Sequence, residues 1–507
     1  MIDLFGGLSP NLTADSVQFF DTTLRDGEQA PGVALSSDEK AGIARELDAA
    51  GVAVIEAGSA CTGQGERESI RRVVNLGLDA TVTSFARGIR ADVDHALDCG
   101  VDGVTIVVPA SDRHVEGKVD TTPEAVVGNA ADLVTYAKDH DLWVELLGED
   151  GSRAEPDFLA ALAEAGFDAG ADRFCWADTV GHAGPHEAYA AVSRLAELGP
   201  TSTHTHDDLG LAVANVLASL AAGADMVHAT VNGIGERAGN VALEEVAVAL
   251  WHSYDIETLQ LDRLYSLAER VADATGVPLA PNKAVVGENA FTHESGIHTD
   301  GTLKDEAMYE PYPPETVGRE RRLVLGKHAG RAGVKAALAE HGIEVDAAAL
   351  DEIVDRVKTL GERDKRVTDA DLLAVAEDVA ASGRDRRVQL LDLTAVSGGP
   401  TPTASVRLKV DDEERVASGT GSGPVDAALN AVREALDDAV FRLDAYHVDA
   451  VTGGTDALVT VEVDLSRGDR SVSVAAREAD ITKASVRAMV DGLDRLLDVT
   501  AEAPADD

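Results

Sequence analysis

The sequence predicts an α/β chain: a (β/α)8 TIM barrel, then a helical linker region, then a C-terminal α+β domain. Three observations lead there. Short apolar runs alternate with longer amphipathic stretches eight times before residue 252. Polar residues gather at the carboxyl ends of those runs, and after Val388 the hydrophobic period changes from helical to strict alternation.

The runs 17–24, 52–58, 80–86, 103–109, 143–147, 171–177, 201–206 and 226–232 read as strands. Helical patterns such as 37–50, 123–138 and 211–222 lie between them, with Gly or Asp at many junctions. Eight alternations within about 240 residues match the size of a (β/α)8 barrel. Periodicity alone also accommodates an open doubly wound sheet; the polar residues favour the barrel. Arg25, Asp26, Glu56, Arg87, Ser111, Glu149, Thr179, His204, His206 and Asn232 all fall at or just after run ends, on the rim where barrels build their sites. The barrel is assigned to residues 1–277. Pro278 and Pro281 break its pattern, and 278–387 reads as helical linker subdomains with a Pro-rich interruption at 311–314. In 388–507, Ala404, Val406, Leu408 and Val410 alternate with polar residues, as do Val459, Val461, Val463 and Leu465, the pattern of half-buried strands. Helical patterns follow at 424–436 and 481–497, Gly-rich turns stand at 418–423 and 453–454, and an acidic end after Thr500 is expected to be disordered.

Ninety acidic residues against 44 basic ones give a net charge of -46, spread along the whole chain. That distribution points to adaptation to high salt, where screening over a few ångströms tolerates self-repulsion. It argues against nucleic acid or anionic membrane as partners. Three cysteines, none in a C-x-x-C pair, imply a reducing compartment, and no stretch reads as a signal peptide or a membrane span, so a cytoplasmic location is expected.

The chemistry-bearing pattern is D-T-T-L-R-D-G-E-Q from Asp21, H-T-H-D-D from His204 and G-E-R-A-G-N ending at Asn240. Residues i and i+2 of a strand share a face, so His204 and His206 can both aim into the barrel mouth. Together with Asp26 and Asn240 they make a mixed N/O set for a divalent cation, Mg, Mn or Zn. Arg25, beside Asp26, is placed to donate to an oxygen that gains charge there, or else to pair with Glu56 or Glu149.

These strings resemble those of the 2-isopropylmalate, citramalate and homocitrate synthase family. The likeness runs on through N-A-F-T-H-E-S-G-I-H (289–298), L-G-K-H-A-G-R (325–331) and G-x-G-P-V-D-A (421–427), and so covers almost the whole chain. The resemblance implies a metal-dependent condensation of acetyl-CoA with a small 2-oxo acid, followed by thioester hydrolysis. It makes Arg25, Glu149, His298 and Tyr309 the catalytic candidates, with His293 the rival of His298, and implies that their segment closes over the rim of a partner subunit. Glu56, Arg87, Leu147, Cys175 and Thr179 become substrate-binding candidates. The basic run Arg319, Arg321, Arg322, Lys327 and Arg331 is a candidate for the phosphates of acetyl-CoA.

Within the family, Leu147 stands where isopropylmalate synthases carry a small Ser, and Cys175 where they carry Asn. A larger apolar side chain shrinks the pocket and favours pyruvate, giving citramalate on the isoleucine branch, over 2-oxoisovalerate on the leucine branch. E-A-G-S-A (56–60) and G-G-T-D-A-L (453–458) resemble archaeal citramalate synthases. The tail resembles a dimeric regulatory domain that binds a branched-chain amino acid, and its turns, with Gly421, Gly423, Asp426 and Gly453, could wrap such a ligand with backbone amides. Homodimerisation follows from the same likeness. A sensing barrel without chemistry would be expected to lack a ligand or Arg25, and this chain lacks neither.

Overall fold

The computed structural model describes residues 17–363, 367–382, 386–436, 441–450, 459–468, 470–478 and 480–497. Gly453 and its neighbouring turn, and the acidic end after Thr500, lie outside the described residues. Eight parallel strands close into a barrel: β1 (Gln18–Asp21), β2 (Val54–Ser59), β3 (Thr81–Arg87), β4 (Gly103–Pro109), β5 (Trp143–Glu149), β6 (Arg173–Asp178), β7 (Thr201–Thr205) and β8 (Met226–Ala229). Closure is direct, with Phe20 of β1 opposite His228 of β8. A helix follows each strand, from Ser37–Ala50 after β1 to Leu243–Tyr254 after β8.

Local chemistry starts and stops these helices. Ser36 and Glu39 form a reciprocal capping box ahead of Ser37–Ala50, and Gly51 ends that helix in the left-handed region at φ 93°. Thr122 caps Pro123–Lys138 by accepting from the Ala125 amide, with proline in the first turn. Outward strand residues such as Phe19, Ile55, Val104 and Leu146 are buried against Ile43, Leu47, Leu162 and other helix residues in one continuous core.

Two strands are shorter than expected by three residues or more. β1 stops at Asp21 because that carboxylate captures the Thr23 amide (2.9 Å) and hydroxyl (2.8 Å), and the chain turns so that the amides of Arg25, Asp26 and Gly27 point to the Thr22 carbonyl. β8 stops at Ala229; Asn232 lies beyond it at φ 64° and donates to the Ala268 carbonyl (2.9 Å). Asn232 therefore fastens the loop to the helix Leu264–Thr275, and the expectation that it joins the rim is corrected.

The segment after the barrel is less helical than its pattern suggested. Between residues 278 and 330 the only longer helix is Gly296–Lys304, with short 3-10 turns at Glu306–Met308 and Pro314–Val317. Arg319 organises this stretch by donating to the Val286 carbonyl (2.6 Å) while lying 4.4 Å over the Tyr265 ring. Backbone carbonyls, rather than a helical ladder, are the partners here.

The chain divides into two compact units between Leu323 and Val324. The second holds helices Arg331–Glu340, Ala347–Arg363 and Asp369–Ser382 around Val334, Leu338, Ile353, Val357 and Leu372. It continues as two three-stranded antiparallel sheets, Val388–Val396, Thr403–Val410 and Glu413–Thr420, then Arg442–Ala450, Val459–Arg467 and Arg470–Glu478. Helices Pro424–Ala435 and Ile481–Leu497 follow the first and second sheet in turn. Val406, Leu408, Val461 and Val463 are buried in their shared core, as the two-residue alternation required. Among the described residues no helix is long and apolar enough to cross a membrane.

Candidate metal centre and active site

At the carboxyl ends of β1 and β7 three donor atoms converge. Asp26 Oδ2 lies 3.6 Å from His204 Nε2 and 3.5 Å from His206 Nε2, and the two Nε2 atoms are 3.3 Å apart. All three side chains are buried. Although burial favours its neutral form, Arg25, both imidazoles and the Asn240 amide hold the Asp26 carboxyl down at about 2. Burial pushes His204 well below the ordinary histidine value and lowers His206 too, against the pull of Asp26. The cluster is thus an anionic carboxylate with two neutral imidazoles whose lone pairs face one point. The Nδ1 atoms of both rings and Asn240 Oδ1 are buried without a protein hydrogen-bond partner. Two neutral imidazole Nε2 atoms converging with a carboxylate oxygen fit a divalent cation better than a hydrogen-bonded core.

Asn240 reaches the cluster through Nδ2, which donates to Asp26 Oδ2 (2.7 Å) and to the Ile234 carbonyl (3.2 Å). In this arrangement it holds the Asp26 carboxylate; ligation through Oδ1 requires the amide to turn over. Of the two roles anticipated for Arg25, the ion pair with Glu56 is present. Its Nε donates to Glu56 Oε2 (2.6 Å), its Nη1 lies 3.2 Å from Asp26 Oδ1, and its guanidinium sits 4.8 Å over the Phe85 ring. The Thr22 hydroxyl donates to the same Glu56 oxygen (2.7 Å). Glu56 is fully buried, so Arg25 is held at the rim by an ion pair that water does not screen.

The other barrel and linker candidates fall into four groups. Leu147 and Cys175 are buried beside Ala177 and Val107, one apolar patch in the barrel interior. Glu149 is clasped by Lys118 Nζ (2.6 Å) and approached by His114 Nδ1 (3.2 Å); Thr179 Oγ1 accepts from the Asp150 amide (2.9 Å); Arg87 forks onto Asp92 (2.7 and 3.1 Å). His298 and Tyr309 stack on each other with centroids 4.3 Å apart, both exposed, while His293 binds Glu310 at 3.0 Å. Among the described residues neither His298 nor Tyr309 touches Arg25 or the metal cluster through a hydrogen bond or ring contact. The candidate phosphate patch is engaged elsewhere: Arg319 on carbonyls, Arg321 on Glu310 and Glu306, Arg322 on Glu288 and Arg331 on Asp351.

Sequence reading missed Thr22, Phe85, His114 and Lys118 around the rim. It also missed a second buried group beneath it, Glu145 of β5 and His228 of β8, with Nε2 2.9 Å from Oε2. Burial favours neutral forms of both. Against it, His228 and Ser202 keep the Glu145 carboxyl low, and Cys175 and Glu145 keep His228 protonated up to about 10. Because burial also pushes the Cys175 thiol up, the charge that counts at neutral pH is that of Glu145. A glutamate and a histidine inside strand runs were the available signal.

In the tail, Gly423 caps the helix Pro424–Ala435, the Gly421 amide donates to the Pro402 carbonyl (3.2 Å), and Asp426 Oδ2 accepts from the Ser422 amide (2.8 Å) and hydroxyl (3.0 Å).

A closed parallel barrel with buried carboxylate, imidazole and guanidinium groups at the carboxyl ends of its strands defines a divalent-metal enzyme of the barrel class. The chain belongs to the HMGL-like family, whose model matches residues 16–271, followed by a homocitrate synthase post-HMGL domain-like match at 285–365 and a LeuA allosteric (dimerisation) domain at 366–497. Relatives agree over nearly full length. The chain is 53% identical to the putative (R)-citramalate synthase of Methanothermobacter thermautotrophicus, over 95% of this chain and 98% of that protein. It is 46% identical to the (R)-citramalate synthase of Methanocaldococcus jannaschii (95% and 99%) and 44% identical to the 2-isopropylmalate synthase of that organism (95% and 95%).

Proposed function

We propose that this chain is an acetyl-CoA:2-oxo acid C-acetyltransferase that condenses acetyl-CoA with pyruvate to give (R)-citramalate. The acetyl methyl group loses a proton, its carbon attacks the keto carbon of pyruvate, and water then cleaves the thioester to release CoA. The observation that carries the reading is the Arg25 guanidinium lying against Asp26 while braced by Glu56. It is fixed where the keto oxygen of a 2-oxo acid held at the cluster gains negative charge, so its donors need little reorganisation. A divalent cation held by Asp26, His204 and His206, with Asn240 beside them, supplies Lewis acidity at that carbonyl; Mg, Mn and Zn all suit the donor set. Glu149, His298 and Tyr309 move the proton, the last two from a segment that closes over the rim in the homodimer.

Pyruvate is favoured by the apolar patch of Leu147, Cys175, Val107 and Ala177, where Leu147 takes the room that a branched substrate needs. The second reading, 2-oxoisovalerate to 2-isopropylmalate, has the support of the relative of that name. Release of CoA measured with pyruvate, 2-oxoisovalerate and 2-oxoglutarate distinguishes them. The highest kcat/KM is expected with pyruvate; a preference for 2-oxoisovalerate selects the second reading, and no release with any of the three overturns both.

The tail is proposed to join two copies and to bind a branched-chain amino acid near Gly421, Gly423, Asp426 and Gly453. The match of residues 366–497 to a LeuA allosteric (dimerisation) domain supports the contact between copies. The charge of -46 supports a cytoplasm rich in salt.

A further inference from the structure

Directly beneath the metal cluster the barrel holds ionisable side chains that the reaction does not use. Glu145, Ser202 and His228 are 0%, 0% and 1% exposed. The Ser202 hydroxyl donates to Glu145 Oε1 at 2.5 Å, and His228 Nε2 faces the same oxygen at 3.1 Å with Oε2 nearer but off the N–H axis. In the barrel register His228 stands opposite two residues that matter: His204 on β7 and Phe20 on β1. Its ring stacks on Phe20 with centroids 4.0 Å apart and planes within 9°, and meets the His204 ring edge to face at 5.5 Å.

A buried ion pair is a poor way to stabilise a core, because the desolvation of both groups offsets their attraction and well-packed apolar replacements are often neutral or better. Barrel interiors are ordinarily filled by branched aliphatic side chains. What this pair does supply is orientation. Glu145 allows the His228 ring one plane, Phe20 backs that plane, and His228 then presents a fixed wall to the ring of His204. His204 needs such a wall, since its Nδ1 has no protein hydrogen-bond partner to set its rotation, and metal-bound imidazoles depend on outer contacts of this kind.

We propose that Glu145 and His228 are positioning residues of the metal centre, with Glu145 orienting His228 and His228 fixing the ring of His204 for coordination. The inference rests on Asp26, His204 and His206 being the ligands. The test is direct titration of metal-free protein with Mn2+, and with Co2+ followed by its visible spectrum, without substrates. Two variants are compared with wild type: Glu145→Gln, and the double variant Glu145→Leu/His228→Leu, which leaves no buried charge unpartnered and so keeps the experiment open if the first fails to fold. Both are expected to bind about 10–100-fold more weakly with an altered cobalt spectrum, while the double variant melts no earlier than wild type. Wild-type affinity and spectrum in the double variant overturn the proposal. Two ions per wild-type chain, one of them lost in the variants, overturn it as well, because the neighbouring Glu145, Cys175 and His228 donors would then be a metal site themselves. Asp26→Ala serves as control: if it binds like wild type, the ligand assignment fails, whereas its loss of binding together with intact variants sinks the positioning role alone.

Discussion

The barrel mouth and the segment after the barrel both carry catalytic candidates, and they are built in opposite ways. At the mouth, Arg25, Asp26, Glu56, His204 and His206 are buried, paired and anchored on strand ends. On the segment, His298 and Tyr309 are exposed and stacked on each other, with His293 edge-on to His298. The difference teaches that the mouth is organised in advance by one barrel, where low dielectric strengthens its ion pairs and, in the proposed reaction, would strengthen charge stabilisation. In the proposed reaction, proton transfer would draw on Glu149 at the rim together with these exposed groups.

Four measurements sharpen or break that contrast, from largest effect to smallest. Chelation, or Asp26→Asn, is expected to abolish turnover, with activity returning to the wild type alone on adding divalent metal; activity that survives chelation would dissolve the mouth's role. His298→Asn and Tyr309→Phe should lower kcat about 10²–10⁴-fold with metal affinity unchanged, and full activity in both would remove the segment from the chemistry. Arg25→Ala should cost about 10²–10³ in kcat with metal content intact, near-normal turnover refuting it. Leu147→Ser should raise the ratio of kcat/KM for 2-oxoisovalerate over pyruvate about tenfold, and an unmoved ratio would clear Leu147 of any part in selection.

Folding tests the mouth from another side. Burial, with Glu56 and Glu244 adding to it and Thr23 opposing, pushes the fully buried Asp21 carboxyl up to about 7. Its folded value exceeds the unfolded one, so the proton it keeps favours folding at acid pH, and this contribution disappears as pH rises from about 4 through 7. In metal-free protein the stability difference between wild type and Asp21→Asn should therefore shift against wild type across that window, by at most about 4 kcal/mol. A difference that does not vary with pH would place Asp21 in contact with water.

Much of the mouth was readable. H-x-H on a strand fixes two imidazoles on one face by the two-residue period, and Arg25 with Asp26 follows an apolar run that had to be a strand. What escaped reading were partners supplied by other strands. Lys118 and His114 come from the loop after β4 to hold Glu149, and nothing local to Glu149 announces them. Asn232 looked like a rim residue by position, but a left-handed backbone turned it toward Ala268. The arginines 319, 321 and 322 looked like an anion patch by density, yet carbonyls and nearby carboxylates claim them.

By itself, then, the order of residues determined the alternation of strand and helix, the strand-end placing of Arg25, Asp26, His204 and His206, and the switch to half-buried strands in the tail, because periodicity, caps and turns act over a few residues. Only the closed barrel decided that Phe20, Glu145, Ser202 and His228 meet beneath His204. Those contacts join β1, β5, β7 and β8, and register across a closed sheet is set by packing of the whole ring of strands rather than by any one of them.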